Sequence, residues 1–176
     1  MQPRSYYLCF GALLLSGSVH AQVDISRVAA KSLLVEEINK AKNYEVKTLE
    51  NEEFFEQMTD GGGKLTAWIR NGLVVKLVEW VGLSSCVNVT EYYFHDSQLV
   101  LVSVQGSEWA YVESTGSFDY TVQVITMEAR FYFHDGKLIK SDLKGSTRCA
   151  GVPTKEWAAN YKTEALRLKD LFMRKQ

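Results

Sequence analysis

Proline is nearly absent, with 2 residues in 176, and the 12 glycines fall far short of a collagen-like content, which excludes both a triple helix and a low-complexity linker. An excess of charge of one sign is also missing: 20 Lys+Arg against 21 Asp+Glu leave a formal net charge of -1. No general electrostatic pull toward nucleic acid or anionic lipid follows from that balance, so no nucleic acid is expected as a partner. No apolar run reaches the roughly 20 residues that a bilayer demands, so no membrane span is expected. The chain also lacks a G-x-S-x-G elbow, an H-E-x-x-H helix, a P-loop and an EF-hand loop, so an enzyme is disfavoured and no cofactor is expected.

What is present is a stock of 46% hydrophobic and 23% charged residues, the balance of one compact domain. Met1 to Ala21 begins with Arg4, runs through Tyr6, Tyr7, Leu8, Cys9, Phe10 and Ala12 to Leu15, and ends Val19-His20-Ala21 before Gln22. A positive start, a short apolar middle and small residues at minus three and minus one form the pattern that signal peptidase reads. Residues 1–21 are therefore read as a signal peptide and residues 22–176 as a single α+β domain, periplasmic or secreted.

Of the 3 cysteines, Cys9 lies in the leader, leaving Cys86 and Cys149. In an oxidising compartment such a pair reads as one structural disulfide, and no C-x-x-C spacing supports a redox role.

The mature chain opens with a helical pattern for which Asp24 is the N-cap, with Ile25, Val28, Ala29 and Leu33 at three- and four-residue spacing and an end near Asn43. Residues 44–59 carry no decisive period. From Lys64 the period becomes two. The turns Asn71-Gly72, Asp96-Ser97 and Asp135-Gly136 each separate two β-rich runs, as in hairpins closed by two residues of positive φ. The register then sets Ile69 against Val74, Phe94 against Leu99, Phe133 against Leu138 and Tyr92 against Leu101. A longer hairpin has its tip near Thr115-Gly116, at the opposite end of the sheet, where Cys86 and Cys149 also fall.

After Pro153, the stripe Trp157, Tyr161, Ala165, Leu168 and Phe172 marks a second helix with one apolar face. The expected architecture is α+β, an antiparallel β-meander of about six strands with an N-terminal and a C-terminal helix packed on the sheet.

Among candidate sites, the register places Trp68, Tyr93 and Tyr132 on the face away from Phe94. They form an exposed interaction strip if only one face is helix-covered, or a second core layer if the N-terminal helix covers that face too. His95 and His134, each beside an aspartate at a turn, are weak candidates for a metal site, with turn flanks as the plainer reading. Gly61-Gly62-Gly63 reads as a flexible lead-in to a strand, since no helix N-terminus follows it to hold an anion. Ser84-Ser85 lies at the far end of the sheet from both histidines, which disfavours a Ser-His hydrolase.

The stretches Asp60 to Thr66, Val75 to Ser84, Glu91-Tyr92-Tyr93-Phe94 and Lys137-Leu138-Ile139 resemble a group of small exported bacterial proteins of uncharacterised function, over roughly residues 44–145. The resemblance implies a periplasmic or secreted bacterial domain and carries no activity, cofactor or catalytic residue.

The functional expectation is an exported, non-enzymatic binding or protein-interaction module. The alternatives are a carrier of a small hydrophobic ligand in a cavity between sheet and C-terminal helix, and an enzyme using the turn histidines. The partner is accordingly an unidentified protein or a small apolar ligand.

Overall fold

The computed structural model describes residues 17–55 and 59–174, with side chains described from Ile25 onward. Of the expected signal peptide, residues 1–16 lie outside the described residues. Helix α1 spans Gly17–Lys40. It runs through Asp24, so this residue is not an N-cap, and it ends three residues before Asn43. No proline or glycine interrupts Ser18 to Val23, so a helix formed downstream propagates through them.

Seven strands follow in one antiparallel sheet whose spatial order is the order of the chain: β1 Glu45–Glu50, β2 Gly63–Arg70, β3 Leu73–Gly82, β4 Cys86–His95, β5 Gln98–Val112, β6 Ser117–His134 and β7 Lys137–Gly145. Helix α2, Trp157–Arg174, closes the chain. The α+β meander with a helix at either end is thus as expected, with one strand more than the expected six, β1, taken from the unassigned segment.

The three tight turns show the dihedrals their residues favour. Both central residues have positive φ in each: Asn71 and Gly72 at 53° and 75°, Asp96 and Ser97 at 47° and 63°, Asp135 and Gly136 at 48° and 71°. Ile69 pairs with Val74, Phe94 with Leu99 and Phe133 with Leu138. One step farther from each turn the register slips by a single residue, between Trp68 and Ile69, Tyr93 and Phe94, and Tyr132 and Phe133. The slip corrects one expected pair: Tyr92 faces Val102, and it is Tyr93 that faces Leu101. Each hairpin therefore inserts one extra apolar residue, Val75, Val100 or Ile139, and all three join the cluster on the same sheet face.

Both sheet faces are covered, which explains unbroken apolar runs such as Tyr92-Tyr93-Phe94 and Phe131-Tyr132-Phe133. Tyr92, Phe94, Val102, Phe131 and Phe133 pack with Ala165, Leu168 and Phe172 of α2. Each such buried large side chain contributes about 1.5–3 kcal/mol. Tyr93, Val100, Leu101 and Tyr132 pack on the other face with Ile38, and Val28, Leu34 and Val35 of α1 lie against them. α1 is the looser cover, since it leaves Ile25 and Leu33 71% and 66% exposed.

Candidate functional site

β5 and β6 are much longer than their neighbours, and the excess leaves the body of the sheet. Pairing with β4 stops at Glu108, opposite Cys86, and pairing with β7 stops at Met127, opposite Gly145. Residues 109–123 therefore project as a two-stranded arm ending in the turn before Ser117, where Gly116 takes φ 63°, and at its base β6 runs on through Val124 to Thr126 beyond the end of β7. A bare two-stranded ribbon is marginal in water, so it needs cross-strand contacts of its own. Here aromatic rings supply them. Trp109 and Tyr120 meet edge to face at 5.7 Å between centroids, Tyr111 and Phe118 at 5.4 Å, and Phe118 and Tyr120 at 6.4 Å.

The base of the arm is anchored. Cys86 and Cys149 are bonded, with Cα atoms 6.4 Å apart, which ties the loop after β7 to the sheet. From that loop the Arg148 guanidinium pairs with Glu108 at 2.6 Å and lies 5.3 Å over the Phe118 ring. The Arg148 backbone N–H donates to Glu108 at 2.7 Å, and this bond, with the guanidinium, holds the Glu108 carboxyl below its ordinary range. Within the arm, Asp119 accepts from the hydroxyl and the backbone N–H of Thr121 at 2.5 and 2.9 Å, bonds that lower its carboxyl. They stabilise the irregular stretch where pairing jumps from Ala110–Asp119 to Trp109–Gln123.

The arm also leaves several large apolar side chains open to solvent. Tyr111 is 54% exposed, Tyr120 62%, Val122 45%, Val124 50% and Ile125 55%. Among the described residues, no strand pairs with the outer edge of β6 over Val122 to Ile125. The other two sheet edges differ in chemistry: β1 carries Glu45, Lys47 and Glu50, and β7 carries Lys137, Lys140, Asp142 and Lys144. Charges on an edge strand discourage further pairing. Thr121 to Thr126 holds no charge at all.

The residues singled out from sequence fall elsewhere. Tyr93 and Tyr132 are 1% and 4% exposed, and Trp68 is half-buried, so the aromatic row is a second core layer rather than an exposed strip. Tyr93 belongs to a polar knot. Its hydroxyl donates to Glu91 at 2.8 Å, the Lys76 ammonium pairs with Glu91 at 2.8 Å and donates to Asn39 at 2.9 Å, and that ammonium lies 4.9 Å over the Tyr93 ring and 5.5 Å from the Trp68 ring. Burial alone lowers the Lys76 ammonium, but Glu91 and Tyr93 outweigh it and raise it.

His95 and His134 flank their turns beside Asp96 and Asp135, at 3.4 and 3.5 Å, and both line one cleft under α1. Among the described residues no group of three or more His, Cys, Asp or Glu side chains is arranged to hold a metal. Gly61 is not a flexible lead-in. Its N–H donates to the Gly82 carbonyl at 3.2 Å, in a contact so close that a side chain on Gly61 would meet the Gly82 backbone. Ser84 donates to Asp60 at 2.6 Å, and Ser85 lies 3.5 Å from the Cys149 sulfur, both remote from the histidines along the sheet.

Between α2 and the sheet, Ala165 and Leu168 are fully buried. A cleft of about 400 Å³, open to solvent, lies where α2 meets the tight-turn rim of the sheet, lined by Leu99, Phe133, Asp135, Lys162 and Leu166. The sequence analysis singled out none of Trp109, Tyr111, Phe118 and Tyr120. The available signal was the placement of two aromatic pairs symmetrically about the Thr115-Gly116 turn. No family model, curated protein or solved structure matches the chain.

Proposed function

We propose that the protein is an exported, non-enzymatic interaction module that captures a partner protein through the β5–β6 arm. One observation carries this reading: two sheet edges are guarded by charge, while among the described residues the uncharged edge of β6 over Val122 to Ile125, apolar but for Gln123, has no neighbouring strand. An extended segment of a partner can add to such an edge, taking backbone hydrogen bonds for affinity and the neighbouring aromatic side chains for specificity. The disulfide and the Arg148–Glu108 pair tie the base of the arm to the loop after β7, which limits the ordering cost of binding. Export is supported by the sequence pattern of residues 1–21 and by the disulfide.

The test compares affinity-tagged wild type with Val124→Lys on the arm and Leu143→Lys on β7, each expressed in the native host and isolated with its bound proteins. Leu143 is a fair control, being 39% exposed on a charged edge. Wild type and Leu143→Lys are expected to recover the same partner and Val124→Lys to lose it. Equal recovery by all three, or none by wild type, contradicts the reading.

A further inference from the structure

On the sheet face opposite α2, α1 and the tight-turn rim border a cleft of about 280 Å³. Arg27 and Lys31, one helical turn apart, reach it from α1, and His95 and His134 reach it from the flanks of the β4–β5 and β6–β7 turns. Leu34 and Val100 supply apolar wall. Among the described residues the lining thus holds four nitrogen-bearing side chains and no carboxylate, and Arg27 is itself engaged in a further interaction. The adjacent acids, Asp96 and Asp135, each lie against their own neighbouring imidazole and have side chains 88% and 74% exposed.

Lys31 is the central group. No carboxylate oxygen lies within 4.0 Å of its ammonium among the described residues. Burial depresses that ammonium, more distant Asp135 opposes the effect and Arg27 adds to it. An anion placed beside such a partly buried cation favours its charged form. The walls set the rest of the ligand, because an apolar flank beside a charged head rewards an amphiphile over a bare inorganic ion. The volume sits near the lower end of small-molecule sites, about 300 Å³.

We propose that this cleft binds a small monocarboxylate with an apolar tail, its carboxylate held by Lys31 beside the two imidazoles and its tail laid along Leu34 and Val100. The site is separate from the β5–β6 arm and stands or falls independently of it.

Calorimetric titration of the full, disulfide-bonded protein with octanoate, octanol and octylammonium tests the assignment, with the side-chain NMR signals of His95 and His134 as a local reporter. Octanoate is expected to bind at least about tenfold tighter than the other two and to shift both imidazole signals. Lys31→Gln is expected to weaken octanoate about tenfold while leaving octanol unchanged, and Lys155→Gln, on an exposed residue before α2, to change neither. Octanol binding as well as octanoate, unchanged octanoate affinity in Lys31→Gln, or no heat and no imidazole shift at millimolar octanoate would each overturn the proposal.

Discussion

Tyr92 and Glu79 meet on the α2 side of the sheet, where the phenol donates to the carboxylate at 2.9 Å. Burial pushes the Glu79 carboxyl up, with the Tyr92 hydrogen bond and Arg167 opposing and Glu164 adding to the rise. Tyr161, in the same region, is pushed up to about 12 by burial and then by Glu79. A carboxyl whose folded pKa exceeds its unfolded value of 4.5 binds the extra proton in the folded state, so stability falls as pH rises from that value through the raised one. Glu79→Gln keeps an acceptor for Tyr92 and removes the ionisation. It is expected to match wild type near pH 4 and to be more stable near pH 7, by on the order of 1 kcal/mol, as read by thermal unfolding at the two pH values.

Gly61 and Gly82 lie backbone against backbone, and an added Cβ on Gly61 would sit 2.6 Å from the Gly82 carbonyl carbon. Neither partner is a flexible side-chain end that can swing away. Gly61→Ala is expected to lower stability by about 1–3 kcal/mol in chemical denaturation, whereas Gly72→Asn, at a turn position of φ 75° with open space around it, is expected to cost well under half of that.

The Cys86–Cys149 bond spans a sequence separation of 63. On the chain-entropy relation a loop of that length contributes about 4 kcal/mol. Unfolding in the presence and absence of a reductant measures it, with a clearly lower midpoint expected on reduction. The Cys86→Ala, Cys149→Ala double variant is expected to behave like the reduced protein and to be insensitive to reductant.

The arm contributes little to the global fold. Tyr120→Ala and Val124→Lys change residues 62% and 50% exposed, outside both core clusters, so each is expected to shift unfolding by no more than about 0.5 kcal/mol. Leu168→Ala, at a fully buried position under α2, is expected to cost about 2–5 kcal/mol by the same measurement.

The turn chemistry made much of this architecture readable in advance. Asn71-Gly72, Asp96-Ser97 and Asp135-Gly136 imply their hairpins and the pair next to each turn, and the stripe from Trp157 to Phe172 implies α2. The repeated bulges were not readable, because Val75, Val100 and Ile139 are apolar like their neighbours and leave no mark in a hydrophobic pattern. β1 escaped notice because Glu45, Lys47 and Glu50 make it an edge strand with one buried apolar residue, Leu49. The burial of Tyr93 and Tyr132 depends on where α1 docks, a tertiary fact outside the reach of periodicity. The arm was hidden for a related reason: whether Tyr111 and Tyr120 are exposed depends on where β4 and β7 stop, which is not written in β5 or β6.

The central claim is that partner capture occurs on the unguarded edge of the β5–β6 arm. A photo-reactive phenylalanine analogue placed at Tyr120, at Ile125, or at Val46 on the charged β1 edge, followed by irradiation of cells exporting the protein, tests it most directly. Val46 is 53% exposed, comparable to Ile125 at 55%, so accessibility alone does not distinguish them. The account predicts one discrete adduct from positions 120 and 125 and none from position 46. Adducts of equal yield from all three positions, or none from the arm, would contradict it.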